Sequence, residues 1–85
     1  MTAQTKKFRD LKNGDMILWF GVACVVSDIR VSHAVTGRPR YGEHIGDAVY
    51  RFRAERVPDD NRPNRYNFSS GVYTAVEGLP VAVLS

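Results

Sequence analysis

The amino-acid sequence predicts an all-β fold: a small five-stranded antiparallel open barrel with two long loops, with a β-sandwich as the alternative that the sequence leaves open. The longest apolar run, Met16–Val31, is rich in β-branched and aromatic residues and is interrupted by one glycine, Gly21. Asp47–Val57 alternates between apolar and charged side chains, as a half-buried strand does. No stretch keeps the 3.6-residue period of an amphipathic helix, so strands account for the whole regular structure.

The length of 85 residues predicts one domain, residues 8–85, after a flexible polar tail of residues 1–7. No unbroken apolar run approaches the roughly 20 residues of a transmembrane helix, so we expect no membrane association. The single cysteine, Cys24, excludes an internal disulfide and is expected to be a small buried apolar side chain. A lone buried thiol indicates a reducing cytoplasm.

The first two strands follow the turn signal Asn13-Gly14-Asp15. Met16–Phe20 is the first strand, with Trp19 and Phe20 on opposite faces, and Gly21 makes a tight turn or bulge after it. Both faces of this strand are apolar, and the sequence leaves open which one is buried.

Val22–Val31 is the second strand, and its apolar alternation slips by one step around Ser27-Asp28, which predicts a β-bulge. It pairs with the strand Asp47–Val57, and residues 32–46 form the tip of this long hairpin. In the later strand Tyr50, Phe52 and Ala54 face inward, whereas Arg51, Arg53 and Glu55 face outward.

A second long loop, Pro58–Gly71, leads to two short strands, Val72–Val76 and Pro80–Leu84, which are joined at Glu77-Gly78. Pro80 suits the start of a strand and argues against a central strand at that residue, and we interpret the closing strand Pro80–Leu84 as an edge. An exposed edge offers a route to a homodimer by strand addition.

The segment Leu11-Lys12-Asn13-Gly14-Asp15, followed by Ile17, Gly21 and an apolar strand that reaches Ile29, resembles the opening of SH3-like barrels of the Tudor and KOW kind. Those folds begin with a Gly-Asp turn into a bent hairpin. The resemblance implies binding of peptides, nucleic acid or other subunits rather than catalysis. The small, arginine-rich chain is also similar to orphan proteins that bacteriophages encode.

Residue types that support catalysis or metal binding are present but not in a functional pattern. Ser69 and Ser70 lie in one loop and His33 and His44 in another, and no nucleophile elbow surrounds the serines. Glu43 and His44 are neighbours that point in opposite directions on an extended chain. We therefore expect no enzyme activity, no metal and no cofactor.

The net charge is +3, from nine arginines and three lysines against nine acidic residues. Gly37-Arg38-Pro39-Arg40 resembles the centre of an AT-hook, with Thr36 at the position where the full motif has an arginine. Arginines on the Asp47–Val57 strand and in the loop after it form a second basic set. The candidate nucleic-acid-binding residues are Arg38, Arg40, Arg51, Arg53, Arg62 and Arg65. The alternative is that these arginines only solvate a turn and a strand face.

Four aromatic residues are candidates for a protein interface, because exposed aromatic side chains dominate binding energy. They are Trp19, Phe20, Tyr41 and Tyr66. The sequence favours a non-enzymatic module that binds another protein, such as an accessory factor that modulates a host complex. The alternative is a nucleic-acid-binding protein, which ranks second because +3 is a small charge and the hook motif is incomplete.

Overall fold

The computed structural model describes residues 3–40, 42–58, 63 and 68–84. Their regular elements are, in order, β1 (Ala3–Lys7), a 3₁₀ helix (Phe8–Asp10), β2 (Met16–Trp19), β3 (Val22–Ala34), β4 (Ala48–Arg56), β5 (Gly71–Val76) and β6 (Pro80–Leu84). The predicted all-β class is confirmed. Within these residues no helix has the length and apolar character to cross a membrane.

The strands form one antiparallel sheet in the order β1-β6-β2-β3-β4-β5. β1 and β5 are its two edges, and in the described part of the chain they do not pair with each other. The structure is therefore an open six-stranded sheet, and the prediction of five strands in a barrel is not confirmed. Strands β2 to β6 correspond to the five predicted ones.

The additional strand, β1, pairs with β6 along its whole length, from Ala3 opposite Leu84 to Lys7 opposite Pro80. The segment predicted as a flexible tail thus contains a strand. β1 carries no apolar alternation, and its position depends on backbone pairing and on Phe8, which is fully buried and donates its N–H to the Leu79 carbonyl at 2.9 Å. Because β6 lies between β1 and β2, the prediction that it is an edge is wrong. Pro80 is tolerated there because it begins the strand.

The β2–β3 hairpin turns at Phe20-Gly21, between the paired residues Trp19 and Val22. Both turn residues have positive φ, 51° for Phe20 and 79° for Gly21, as a type I′ turn requires. The predicted turn at Gly21 is confirmed. Phe20 belongs to the turn, and its ring lies 5.4 Å from that of Trp19, so the prediction of opposite faces is wrong.

The predicted bulge in β3 is also confirmed. The pairing register with β4 shifts between Ser27 and Arg30, and Asp28 has a φ of 53°. The Ile29 N–H, which the bulge releases, donates to Asn13 Oδ1 at 3.0 Å. β3 continues beyond its predicted end, because pairing with β4 extends to Ala34 opposite Ala48.

The core lies on one face of the sheet. Its largest fully buried side chains come from the 3₁₀ helix and from β2, β3 and β4, and they are Phe8, Ile17, Val22, Cys24, Val26 and Phe52. The rings of Phe8 and Phe52 lie 4.7 Å apart. The predicted alternation in β4 and the predicted burial of Cys24 are both confirmed.

Candidate functional site

Three arginines meet on the outer face of β3 and β4. Directly paired residues of an antiparallel sheet point to the same face, and Arg51 pairs with Arg30 of β3 and with Thr74 of β5. Arg53 lies two residues further along β4 and shares this face, opposite Ser27 and Val72. The bulge at Asp28 is what turns Arg30 outward.

The arginines surround a groove of about 290 Å³. It is lined by Asp28, Arg30, Arg51, Phe52, Arg53 and Val72. Two of the guanidinium groups have acidic neighbours: Arg30 lies 2.7 Å from Asp28 Oδ1, and Arg53 lies 2.6 Å from Glu55 Oε1. Arg51 has no ion-pair partner in the described part of the chain. Like charges in directly opposite positions repel, so the pairing of Arg51 with Arg30 costs stability, although Asp28 partly compensates the charge of Arg30. Arg51 is then the uncompensated positive charge of the groove.

The hairpin tip is closed at its base by backbone hydrogen bonds. Val35 is buried, donates its N–H to the Asp47 carbonyl at 2.8 Å, and accepts from the Gly46 N–H at 3.0 Å. Within the tip, the Arg40 N–H donates to Glu43 Oε1 at 2.6 Å, and the Glu43 N–H donates to the Arg40 carbonyl at 3.0 Å. These bonds hold the loop while the Arg38 and Arg40 side chains stay exposed.

A second groove, of about 350 Å³, links the tip to the sheet. Its lining includes His33, Arg38, Arg40, Glu43, Val49 and Thr74. Thr74 is the direct cross-strand neighbour of Arg51, and Val49 precedes Arg51 by two residues on the same face. The tip arginines and the strand arginines therefore lie on one continuous surface, which we call the basic face: Arg30, Arg38, Arg40, Arg51 and Arg53.

Sequence reasoning treated these arginines as two separate sets and omitted Arg30. The sequence does contain a signal for Arg30. Ile29 and Val31, on either side of it, resume the apolar alternation after the bulge, which places Arg30 on the outer face. The remaining candidates, Arg62 and Arg65 with Tyr41 and Tyr66, lie outside the described residues.

The candidate protein interface contains Trp19 and Phe20. Trp19 packs against the core, with its ring 5.1 Å from that of Phe52, and its Nε1 is buried without a hydrogen-bond partner among the described residues. Phe20 is 50% exposed, and its ring lies 6.2 Å from Phe68 and 5.8 Å from Tyr73. We call Trp19, Phe20, Phe68 and Tyr73 the aromatic corner. Tyr73 pairs with Phe52, so this corner belongs to the core side of the sheet, opposite the basic face.

Residues considered for chemistry have local structural contacts. Ser70 Oγ accepts from the Arg56 N–H at 2.9 Å, and the Ser69 carbonyl accepts from the Tyr73 hydroxyl at 2.6 Å. His33 Nδ1 lies 3.0 Å from Ser32 Oγ, and His44 Nδ1 lies 3.6 Å from Asp47 Oδ2. Among the residues that the structure describes, no group of three or more His, Cys, Asp and Glu side chains could hold a metal ion.

Comparison of the chain with protein-family models, with curated proteins and with solved structures finds no match.

Proposed function

We propose that this chain is a non-enzymatic module that binds duplex nucleic acid by contacting phosphates with the basic face. The observation that carries the proposal is the union of two arginine sets on one surface, through Val49 and Thr74, which line the tip groove and flank Arg51. The sequence alone ranks protein binding first, because the net charge of +3 is small and the hook motif is incomplete. A single surface with five arginines changes that ranking.

Phosphate is the ligand chemistry that this surface favours. Guanidinium groups bind phosphate oxygens through two parallel hydrogen bonds, a geometry that lysine cannot provide. Arg51 is exposed and faces Arg30 across the strand pair. A bound anion between the two side chains would relieve their repulsion, and this relief would make the free energy of binding more favourable.

The tip extends the basic face beyond the core. The end of β3, Arg30–Ala34, is exposed, and the tip with Arg38 and Arg40 follows it. The Gly37-Arg38-Pro39-Arg40 segment resembles an AT-hook centre, in which arginines enter a narrow minor groove whose negative potential attracts them. We infer that the tip enters this groove while Arg51 and Arg53 contact the flanking phosphates.

The basic face favours double strands over single strands. Proteins that hold single strands stack bases on aromatic rings. The described aromatic residues of β4 and β5 are Tyr50, Phe52 and Tyr73, and they point to the opposite side of the sheet. Phosphate contacts without base contacts position a protein on DNA but carry little sequence information. Apart from a preference for A·T-rich sequence at the groove that the tip enters, we therefore expect duplex binding with low sequence specificity.

We propose the SH3-like barrel as the finer description of the fold. Two features support it: the turn at Asn13-Gly14, where Gly14 has a φ of 95°, and the bent hairpin that follows, with its bulge at Asp28. The lone buried Cys24 supports a reducing compartment as the place of action.

The proposal is tested by the salt dependence of binding to a labelled random-sequence duplex of about 20 base pairs, measured by fluorescence anisotropy between roughly 25 and 200 mM salt. Each neutralised phosphate adds about 0.9 to the slope of log affinity against log salt. The variant Arg51→Ala with Arg53→Ala is expected to lower the slope by about 1.8.

The matched control is Lys7→Ala with Lys12→Ala, which removes the same charge from exposed residues outside the basic face. We expect it to leave the slope nearly unchanged. Equal losses in both variants would show that only net charge matters. Absence of binding by the wild-type chain at the lowest salt would overturn the proposal outright.

A second candidate function, binding of a protein partner, is favoured by Phe20. A half-exposed phenylalanine at positive φ is uncommon, because bulky residues there are strained by about 1–3 kcal/mol. Phe20→Asn would suit the turn and remove the exposed ring. A partner that binds the wild type and the Arg51→Ala variant but not the Phe20→Asn variant would establish this function.

A further inference from the structure

The outer edge of β5 carries an inference that is independent of nucleic-acid binding. We propose that two copies of this chain associate through β5, antiparallel and related by a two-fold axis at Thr74. The combined sheet would then contain the six strands of each copy.

One hydrogen bond orients the backbone groups of β5. The Glu77 N–H donates to the Ala48 carbonyl of β4 at 2.8 Å. Along a strand, successive N–H groups alternate between the two neighbours, so the N–H groups of Ala75 and Tyr73 also point to β4. The N–H and carbonyl groups of Val72, Thr74 and Val76 then point away from the sheet. Among the described residues, only β4 pairs with β5.

The side chains of β5 give this edge no protection against pairing. Natural edge strands are commonly blocked by lysine, proline or inward charges. The other edge, β1, carries Lys6 and Lys7, whereas Gly71–Val76 contains no charged residue and no proline. An uncharged strand meets no like-charge repulsion when it faces a copy of itself. This self-compatibility favours a second copy as the occupant.

The register follows from keeping the faces aligned. A continuous sheet requires outer-face residues to meet outer-face residues, so the two-fold axis must pass through a residue rather than between two. An axis at Thr74 pairs Thr74 with Thr74 of the second copy, and Val72 with Val76 of the second copy. These three pairs form about six hydrogen bonds, whereas an axis at Tyr73 would form about four.

This arrangement also adds to the groove at Arg51 and Arg53. Val72 lines that groove and is 50% exposed, and the second copy would place its Val76 beside it. The two β4 strands would be separated by three strand spacings, or about 14 Å. The outer faces of both copies would form one surface that carries two sets of strand arginines.

Association is tested without nucleic acid, by analytical ultracentrifugation over a series of protein concentrations. We expect a concentration-dependent dimer. Thr74→Pro removes the outward N–H without removing a bond to β4, and proline is tolerated on an edge strand. This variant is expected to raise the dimer dissociation constant at least about tenfold, since two central hydrogen bonds and close approach are lost. Thr74→Val keeps the N–H and should dimerise like the wild type.

Cross-linking detects the contact between the two copies without the Thr74→Pro variant, which could fail to fold. In the predicted register the two Thr74 Cα atoms lie about 5.5 Å apart, within disulfide range, so Thr74→Cys should form a covalent dimer under mild oxidation. Val31→Cys, exposed on the hairpin arm, is the control that should not. A monomer at every concentration, equal cross-linking of both variants, or open-ended polymers would overturn the proposal. Because no nucleic acid is present, these outcomes are independent of the proposed binding function.

Discussion

The two faces of β4 differ in what determines the arrangement of their side chains. On the inner face Phe52 is 1% exposed, and its ring contacts Phe8, Trp19 and Tyr73. On the outer face Arg51 is exposed, next to Thr74 and opposite Arg30. The inner face is organised by burial of apolar surface. The outer face is organised by strand register, which brings together charges that are distant in the sequence.

The difference separates the residues that stabilise the fold from those to which we assign binding. Burial of the inner-face side chains in the core stabilises the folded state. The position of Arg51 opposite the like charge of Arg30 destabilises it slightly. Substitutions on the two faces should therefore separate the two properties.

The largest expected effect comes from the inner face. Phe52→Ala should lower the free energy of unfolding by about 3–5 kcal/mol, because it leaves a cavity among the rings of the core. Urea denaturation followed by circular dichroism measures the change. Arg53→Ala, the neighbouring outer-face control, should stay within about 0.5 kcal/mol of the wild type. Similar losses in both variants would remove the distinction between the faces.

An intermediate effect is expected at the bulge, which determines the residues that join the outer face. Asn13→Ala removes the acceptor of the Ile29 N–H and should cost about 1 kcal/mol, since Asn13 is exposed and water replaces part of the bond. Hydrogen exchange at Ile29 should accelerate in parallel. Asn13→Asp retains an acceptor oxygen and should preserve the protection. Unchanged exchange in Asn13→Ala would contradict the role given to this contact.

The smallest effect is expected on the outer face itself. Arg51→Gln relieves the repulsion with Arg30 and should raise the free energy of unfolding by a few tenths of a kcal/mol at low ionic strength. Near 1 M salt, where charges are screened within about 3 Å, the gain should vanish. The same variant should bind duplex DNA more weakly. A loss of stability on Arg51→Gln would mean that Arg51 has a structural role.

Sequence reasoning succeeded where local patterns decide the structure. The period of two in Ala48–Arg56, the turn at Gly21 and the phase slip at Ser27-Asp28 each predicted an observed feature. It failed for β1, whose polar residues show no periodic pattern and which is held by backbone pairing with β6.

The wrong prediction that β6 is an edge and the missed connection between the two arginine sets have the same physical origin. Pro80 lacks only its own N–H, which says nothing about the other residues of β6 or about β1 beside it. In the same way, a sequence does not reveal that Thr74 joins the surface of Arg38 to that of Arg51. Both facts depend on which strands pair and in what register.

The central claim is that the tip and the strand arginines act as one surface. Titration of isotope-labelled protein with a short duplex, followed by amide chemical shifts, tests it most directly. We predict that shifts change together at Arg38–Arg40 and at Val49–Arg53, while β1 and β6 remain unaffected. Changes confined to one of the two segments, or centred on Phe20, would contradict the claim.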